Sequence, residues 1–277
     1  MDESTSIAKE IKTSRADSTA YIVFDTESIP DGKLVKAVKF PNEDLTPEQA
    51  IEKAQAEARE KSSSGSEFLP LTFQKPIAIC TLRLDSNFLP IGLSCLDQPK
   101  YRPEEMVNLF WQGIERFKQA RLVTFNGRGF DLPLLEFAAF DQGISAKFYF
   151  SGEQRSRYRS RYIDIQDLLN NQGACRLEGG LNLLARRLGL PGKMEVKGQD
   201  VYPMFLAGKL QEINDYCAYD TLDTYFVFLR TRVLIGEINL EKEKEIFAEA
   251  VKWFGWKVEE FPALAKYLAN IIRENDK

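Results

Sequence analysis

Two carboxylates close a short apolar run near the amino terminus: Asp25 and Glu27 follow Tyr21-Ile22-Val23-Phe24. Such a run of aromatic and β-branched residues is typical of a buried strand. Because strand side chains alternate between faces, Asp25 and Glu27 should project from one face and Thr26 from the other. Neighbouring carboxylates raise each other's pKa, whereas a divalent cation bound to both converts the repulsion into shared coordination. The pair is a candidate metal site, with a solvated strand end as the alternative.

Two later segments place acidic side chains where they could complete such a site. Asn126-Gly127-Arg128-Gly129-Phe130-Asp131 follows a predicted strand and opens a predicted helix. This puts Asp131 at the carboxyl edge of the sheet, where active sites of open α/β sheets gather. In Tyr216-Cys217-Ala218-Tyr219-Asp220, the first and last residues are four apart on a predicted helix and share one face. Each segment alone fits a helix cap or an amphipathic helix, but together they favour a metal site.

The composition excludes several kinds of chemistry. The 277-residue sequence contains no histidine, which excludes Ser-His-Asp and Cys-His catalysis, His-ligated zinc and a histidine base. Proton transfer must then use carboxylates, tyrosine, lysine or metal-bound water. The formal net charge of -4 gives no overall attraction to nucleic acid. A nuclease that gathers acids around metals can nevertheless place its basic residues locally.

Cysteine usage and hydropathy indicate the compartment. The four cysteines are scattered without a C-x-x-C pair, which predicts reduced thiols: Cys80, Cys95, Cys175 and Cys217. No apolar run has the length of a membrane span, and residues 1–19 are polar and lack the apolar core of a signal peptide. We therefore expect a cytoplasmic protein with no membrane partner.

Hydrophobic patterning predicts a mixed α/β sheet with a helical C-terminal half. The predicted strands are Tyr21–Asp25, Pro76–Leu84, Phe88–Cys95, Arg121–Asn126 and a short one at Tyr162–Ile165. Turn residues between the second and third strands predict a hairpin. The predicted helices are Pro103–Gln119, Leu132–Phe140, Leu181–Leu188, Asp200–Ala207, Leu210–Ile235 and most of 241–275. Residues 42–66 are charged, helix-prone and end in a serine-rich run, which predicts a surface excursion, ordered or partly disordered.

The three acidic segments carry a specific resemblance. Asp25-x-Glu27, Asn126-x3-Phe130-Asp131 and Tyr216-x3-Asp220 resemble the three motifs of the DEDD superfamily of 3′–5′ exonucleases, tyrosine (DEDDy) branch. The run Tyr216-Cys217-x-x-Asp220-Thr221-Leu222-x-Thr224-Tyr225 is similar to predicted exonucleases related to the proofreading domain of family-B DNA polymerases, as is Leu188-Gly189-Leu190-Pro191-Gly192-Lys193. The resemblance covers roughly 20–240. It departs from the family in the 42–66 excursion and at Tyr162-Ile163-Asp164, where a histidine often precedes the aspartate.

The resemblance implies a fold and an activity. It implies a ribonuclease H-like mixed β-sheet flanked by helices over 20–240, after a polar segment at 1–19 and before a helical C-terminal extension over 241–277 packed on the domain. It also implies phosphodiester hydrolysis at nucleic-acid 3′ ends with two divalent metal ions, Mg²⁺ or Mn²⁺. Single-stranded DNA is the expected substrate, with RNA left as the alternative. The alternative is a catalytically inactive nucleic-acid-binding or scaffolding module with the same fold. A polymerase or helicase partner is not identified by the sequence.

The resemblance also assigns roles to residues. The metal ligands it implies are Asp25, Glu27, Asp131 and Asp220, whose four negative charges are roughly matched by two divalent ions. Tyr216, with an ordinary pKa of about 10, is a poor base at neutral pH and would orient the attacking water. The implied substrate-binding residues are Thr26, Asn126 and Phe130.

Some positions allow two interpretations. Tyr219 and Asp223 are also four residues apart, but the similarity favours the register of Tyr216 and Asp220. Asp223 is then predicted to be a solvated acid, and Asp164 a structural cap near the sheet edge. The C-terminal aromatic residues are predicted to be core between helices rather than a partner surface: Trp253, Phe254, Trp256, Phe261 and Tyr267.

One basic stretch has aromatic residues interleaved with its arginines: Arg155, Arg157, Arg159 and Arg161. In an extended chain the four arginines line one side, and Tyr158 and Tyr162 lie opposite. This pattern suits phosphate contacts and base stacking with a single strand. The alternative is a solvated, charged loop.

Overall fold

A mixed five-stranded sheet organises the residues that this computed structural model describes, 18–63, 65–152, 154–155, 161–194 and 198–271. Its strands are β1 (Tyr21–Pro30), β2 (Gln74–Leu84), β3 (Pro90–Cys95), β4 (Arg121–Thr124) and β5 (Ile163–Asp164). They lie in the order β3-β2-β1-β4-β5. β2 is antiparallel to both β1 and β3, whereas β1, β4 and β5 are parallel. The predicted hairpin of the second and third strands is confirmed.

Helices cover both faces of this sheet. In the described residues they are α1 (Gly32–Lys39), α2 (Pro47–Lys61), α3 (Pro103–Arg116), α4 (Asp131–Gln142), α5 (Lys147–Ser151), α6 (Ile165–Leu169), α7 (Gly180–Arg187), α8 (Val201–Leu206), α9 (Leu210–Leu234), α10 (Leu240–Trp256) and α11 (Ala263–Ala269). On one face Phe24 of β1 packs against Phe110 of α3, with ring centroids 5.0 Å apart. On the other face Tyr21 packs against Phe228 of α9 at 5.3 Å. This layered mixed sheet confirms the predicted ribonuclease H-like α/β fold.

β1 is longer than predicted, and its extra length carries the acids. The strand does not end at Asp25 but continues to Pro30, because its second half keeps its pairing with β2 past a register shift at Glu27/Ser28. β4 pairs with β1 only over Tyr21–Val23. The carboxyl half of β1 therefore extends beyond its parallel neighbour, which leaves room beside Asp25 and Glu27.

The excursion after β1 is folded in the described residues, which settles the alternative left open above. α2 begins with a capping box in which Thr46 and Gln49 exchange hydrogen bonds. Its apolar face is buried with α1 in a small separate core: Val35, Phe40, Ala50, Ala54 and Leu69. Helix α1 was not predicted; its start is fixed by the Asp31 carboxylate, which accepts the backbone N–H groups of Lys33 and Leu34. Ser64 lies outside the described residues.

The C-terminal segment packs onto α9. The predicted helical character of 241–275 is confirmed over two helices in the described residues, since α10 ends at Trp256 and α11 begins after Pro262. Phe254 and Tyr267 are fully buried in the main core, which confirms their prediction as core residues. Trp256 is 69% exposed, so for this residue the prediction was wrong. Within the described residues, no helix combines the length and apolar character needed to cross a membrane.

Candidate active site

Three carboxylates from two elements converge beside the carboxyl half of β1. One oxygen each from Asp25, Glu27 and Asp220 lies within 4.8 Å of the other two. Asp220 is brought there by α9, which packs on β1 and β2. The Cys217 thiol, one turn before Asp220, donates to the Asp25 backbone carbonyl at 3.2 Å and fixes the helix against the strand.

The electrostatics of this cluster are those of a cation site. Burial, followed by the charges of Asp131, Asp220 and Glu27, raises the pKa of Asp25 well above its ordinary value. Burial and the charges of Asp220 and Asp131 do the same to the pKa of Glu27. Hard carboxylate oxygens held together against their repulsion are the ligands that Mg²⁺ and Mn²⁺ prefer. The donor set therefore fits a divalent cation.

Asp131 joins this electrostatic environment from the other side of β1. It is 2% exposed, opens α4, and accepts a 2.7 Å hydrogen bond from the Thr26 hydroxyl. Burial raises its pKa to about 7, although the Thr26 hydrogen bond lowers it. Asp131 does not belong to the close cluster of Asp25, Glu27 and Asp220. After burial, however, its charge is the largest cause of the raised pKa of Asp25. Thr26 itself is 3% exposed and contacts Asp131.

The turn that leads to Asp131 is held by Asp164. Its carboxylate accepts the backbone N–H groups of Asn126 at 2.9 Å and Arg128 at 3.0 Å, and it also caps α6. The prediction of Asp164 as a structural cap is confirmed. Asn126 adopts a left-handed conformation with φ 63°, and its side chain accepts a hydrogen bond from Gln166 at 3.0 Å. A Cβ at Gly127 would collide with Thr124 Oγ1, so the turn requires glycine there.

Tyr216 and Asp220 lie at the acidic cluster, whereas Asp223 does not. Tyr216 is 5% exposed and its hydroxyl hydrogen-bonds Asp220, which lowers the pKa of that carboxyl. Burial of Asp220 outweighs this and leaves its pKa raised to about 6. Burial, followed by the charge of Asp220, raises the pKa of Tyr216, so this hydroxyl is a donor and not a base.

The prediction of Asp223 as a solvated acid was wrong. Asp223 is 1% exposed and accepts a 2.7 Å hydrogen bond from Tyr267 of α11. Burial raises its pKa to about 7. The C-terminal segment folds back over this turn of α9, and a local helical pattern carries no signal for such a long-range contact.

Lys193 is a candidate site residue that was not predicted from the sequence. Its charge lowers the pKa of both Glu27 and Asp220. The Lys193 backbone N–H donates to Asn182 Oδ1 of α7 at 2.8 Å, and its side chain is exposed. The signal was present in Leu188-Gly189-Leu190-Pro191-Gly192-Lys193, where a glycine-rich turn delivers a lysine between the second and third acidic segments.

The described arginines of the basic stretch lie apart from the acids. Arg155 makes an ion pair with Glu136 of α4 at 3.0 Å. Arg161 donates to Gln119 at 3.1 Å and lines a cleft with Thr19 at the amino end of β1. Arg157 and Arg159 lie outside the described residues. Phe130, by contrast, immediately precedes Asp131 and is half-buried against Phe68.

The structure thus combines a ribonuclease H-like sheet with carboxylates gathered beside its central strand. Residues 66–271 match the family described as "Predicted 3'-5' exonuclease related to the exonuclease domain of PolB". The chain belongs to this family. The match includes Asp131 and Asp220 but begins after Asp25 and Glu27, which the tertiary structure brings to the same site. No curated protein matches the chain.

Proposed function

We propose that the protein is a metal-dependent 3′–5′ exonuclease that hydrolyses phosphodiester bonds at single-stranded ends, with DNA favoured over RNA. The observation that carries this proposal is the convergence of Asp25, Glu27 and Asp220 within 4.8 Å in a member of a predicted exonuclease family. Carboxylates forced together in this way raise one another's pKa, and a site without a cation has no physical reason to retain them.

The four acids together would bind two divalent ions, Mg²⁺ or Mn²⁺. Asp25, Glu27 and Asp220 supply the oxygens of the close cluster, and Asp131 approaches from the start of α4. When bound, the ions supply charge stabilisation at phosphorus and a lowered pKa for the attacking water. The Thr26 hydroxyl holds one Asp131 oxygen, so it orients a ligand.

Tyr216 and Lys193 are the polar groups that complete the site. Because the pKa of Tyr216 is raised, its hydroxyl remains protonated and can orient the attacking water by a hydrogen bond. Lys193 carries an exposed positive charge close enough to lower the pKa of Glu27 and Asp220. In the proposed complex this ammonium would contact a phosphate oxygen of the scissile bond.

The test is cleavage of single-stranded DNA and RNA labelled at the 3′ or 5′ end, with Mg²⁺, Mn²⁺ or EDTA. Stepwise release of the 3′ label that EDTA abolishes is expected. Asp25→Asn should lower the rate by about 1000-fold or more, since a lost ligand removes several kcal/mol of charge stabilisation. The same substitution should leave the metal-free fold as stable as wild type or more so, because it relieves a repulsion.

Asp141→Asn is the matched control, since Asp141 is exposed on α4 outside the cluster and its loss should leave cleavage unchanged. Full turnover by Asp25→Asn would refute the proposed site. Binding of single strands without cleavage under every metal condition would instead support the inactive nucleic-acid-binding module.

A further inference from the structure

Two aromatic rings from distant parts of the chain meet beside the proposed site. Phe68 follows α2, and Phe130 immediately precedes Asp131. Their ring centroids are 6.0 Å apart with an interplanar angle of 44°. Phe68 is 55% exposed and Phe130 is half-buried, so part of this aromatic surface faces solvent. An exposed ring that is held in place next to a polar site is suited to ligand contact rather than to core packing.

The backbone on each side of the pair is fixed. Leu69, the neighbour of Phe68, is fully buried in the small core of α1 and α2, and its carbonyl accepts a 3.1 Å hydrogen bond from Gln74 of β2. The Phe130 carbonyl accepts the backbone N–H of Leu134 at 3.0 Å in the first turn of α4. The two rings therefore come from anchored positions, one between α2 and β2 and one on the turn that leads to Asp131.

The position of the pair relative to the acids indicates its ligand. Asp131 directly follows Phe130 and is hydrogen-bonded to Thr26, which lies between Asp25 and Glu27 in β1. A nucleic-acid strand whose terminal phosphodiester binds at these carboxylates would place its terminal bases close to Phe130, which is one residue from Asp131. Nucleobases of any sequence stack on aromatic rings, because every base has a π face.

We propose that Phe68 and Phe130 form a stacking platform for the bases at the 3′ end of a single strand, with Phe68 supplied by the segment between α2 and β2. This proposal rests on the proposed function and extends it to a substrate contact. Phe130 belongs to the second acidic segment, whereas Phe68 belongs to no motif.

Binding is measured in the full chain carrying Asp25→Asn, with Mg²⁺ present, so that the strand stays intact. The probe is a labelled single-stranded oligodeoxynucleotide, compared with one whose 3′-terminal sugars lack bases. Phe68→Ala should weaken binding of the first probe by about 5- to 100-fold, the range expected for one stacked base. It should change binding of the abasic probe little, because the phosphate contacts remain.

Three further variants separate stacking from folding. Phe68→Leu keeps an apolar contact with Phe130 but has no π face, so it should weaken binding as Phe68→Ala does. Phe68→Trp should retain or improve affinity. Phe140→Ala is the matched control, because Phe140 is 83% exposed on the same helix but nine residues beyond Asp131, about 13 Å along the axis.

Equal affinities for wild type, Phe68→Ala and Phe140→Ala would overturn the platform, and so would an equal loss on the normal and abasic probes. Because binding is measured without turnover, the experiment tests the stacking platform independently of catalysis. An inactive protein that still needs Phe68 to bind bases would refute the exonuclease but not the platform. An active protein indifferent to Phe68 would refute the platform alone.

Discussion

Tyr267 donates a 2.7 Å hydrogen bond to Asp223 and so joins the C-terminal helix α11 to the helix that carries Asp220. Both residues are buried. The Tyr267 ring also stacks on Tyr219 at 5.9 Å. Besides burial, the charge of Asp220 raises the pKa of Asp223, whereas a hydrogen bond from the backbone N–H of Gly192, next to Lys193, lowers it. The C-terminal segment thus packs directly behind the proposed site.

Tyr267→Phe should destabilise the protein by about 1.5–3 kcal/mol, since it removes a hydrogen bond to a buried carboxylate. The free energy of unfolding in urea measures this. In an Asp223→Asn background the same substitution should cost about 1 kcal/mol, because the partner is then neutral. Equal losses in the two backgrounds would show that the Tyr267 hydroxyl does not stabilise the Asp223 charge.

Tyr216→Phe should slow cleavage by about 10- to 1000-fold, less than the loss of a metal ligand, if this hydroxyl only orients water. Tyr219→Phe is the control from the alternative register and should have a milder effect, because the Tyr219 ring stacks on Tyr267 of α11. Single-turnover rates on saturating single-stranded DNA give the comparison. A larger loss of rate in Tyr219→Phe than in Tyr216→Phe would show that Tyr219 and Asp223, rather than Tyr216 and Asp220, take part in the reaction.

The metal-free protein should lose stability as the pH rises from about 4 to 7. In the folded chain the pKa is raised to about 7 for Asp131, about 6 for Asp220 and about 7 for Asp223, from an ordinary 3.8. The folded state therefore binds more protons than the unfolded state in this window, and each such carboxyl contributes a slope of up to about -1.4 kcal/mol per pH unit.

Urea unfolding in EDTA at several pH values measures this slope. Added Mg²⁺ or Mn²⁺ should flatten it in wild type, because bound cations stabilise the ionised acids. Asp25→Asn should respond less to the metal. Stability that increases with pH in EDTA would contradict the raised pKa values.

The arginine stretch remains a prediction as a path for the strand. Replacing all four of Arg155, Arg157, Arg159 and Arg161 with alanine should flatten the dependence of log K on log salt by roughly 1.5 to 3 units, at about 0.7 per phosphate contact. Arg155 and Arg161 already have partners in Glu136 and Gln119. We therefore expect Arg155→Ala/Arg161→Ala to flatten the slope by less than the roughly 1.4 units of two phosphate contacts. An unchanged slope in the quadruple variant would show that the strand runs elsewhere.

The sequence by itself determined the elements and the order of the acidic segments. Alternation and helical spacing act over a few residues, so the β2–β3 hairpin and helix α9 could be predicted close to their observed limits. The three acidic segments and the resemblance they carry indicated Asp25, Glu27 and Asp220, which the structure brings together. The predicted fold followed from the same patterns, because a mixed strand order with flanking amphipathic helices has few compact solutions.

Tertiary structure decided the environment of each side chain. The local sequence around Asp223 is typical of a solvated acid on a helix. Its observed environment depends on Tyr267, which is 44 residues further along the chain. Thr26 and Asp131 are separated by 105 residues, and Phe68 reaches Phe130 only because α1 and α2 fold into a core of their own. Burial and hydrogen bonding depend on which elements pack together, and the local sequence of either partner does not encode that contact. Packing therefore decided whether a carboxylate lies in the acidic cluster, caps a helix or is buried against a tyrosine.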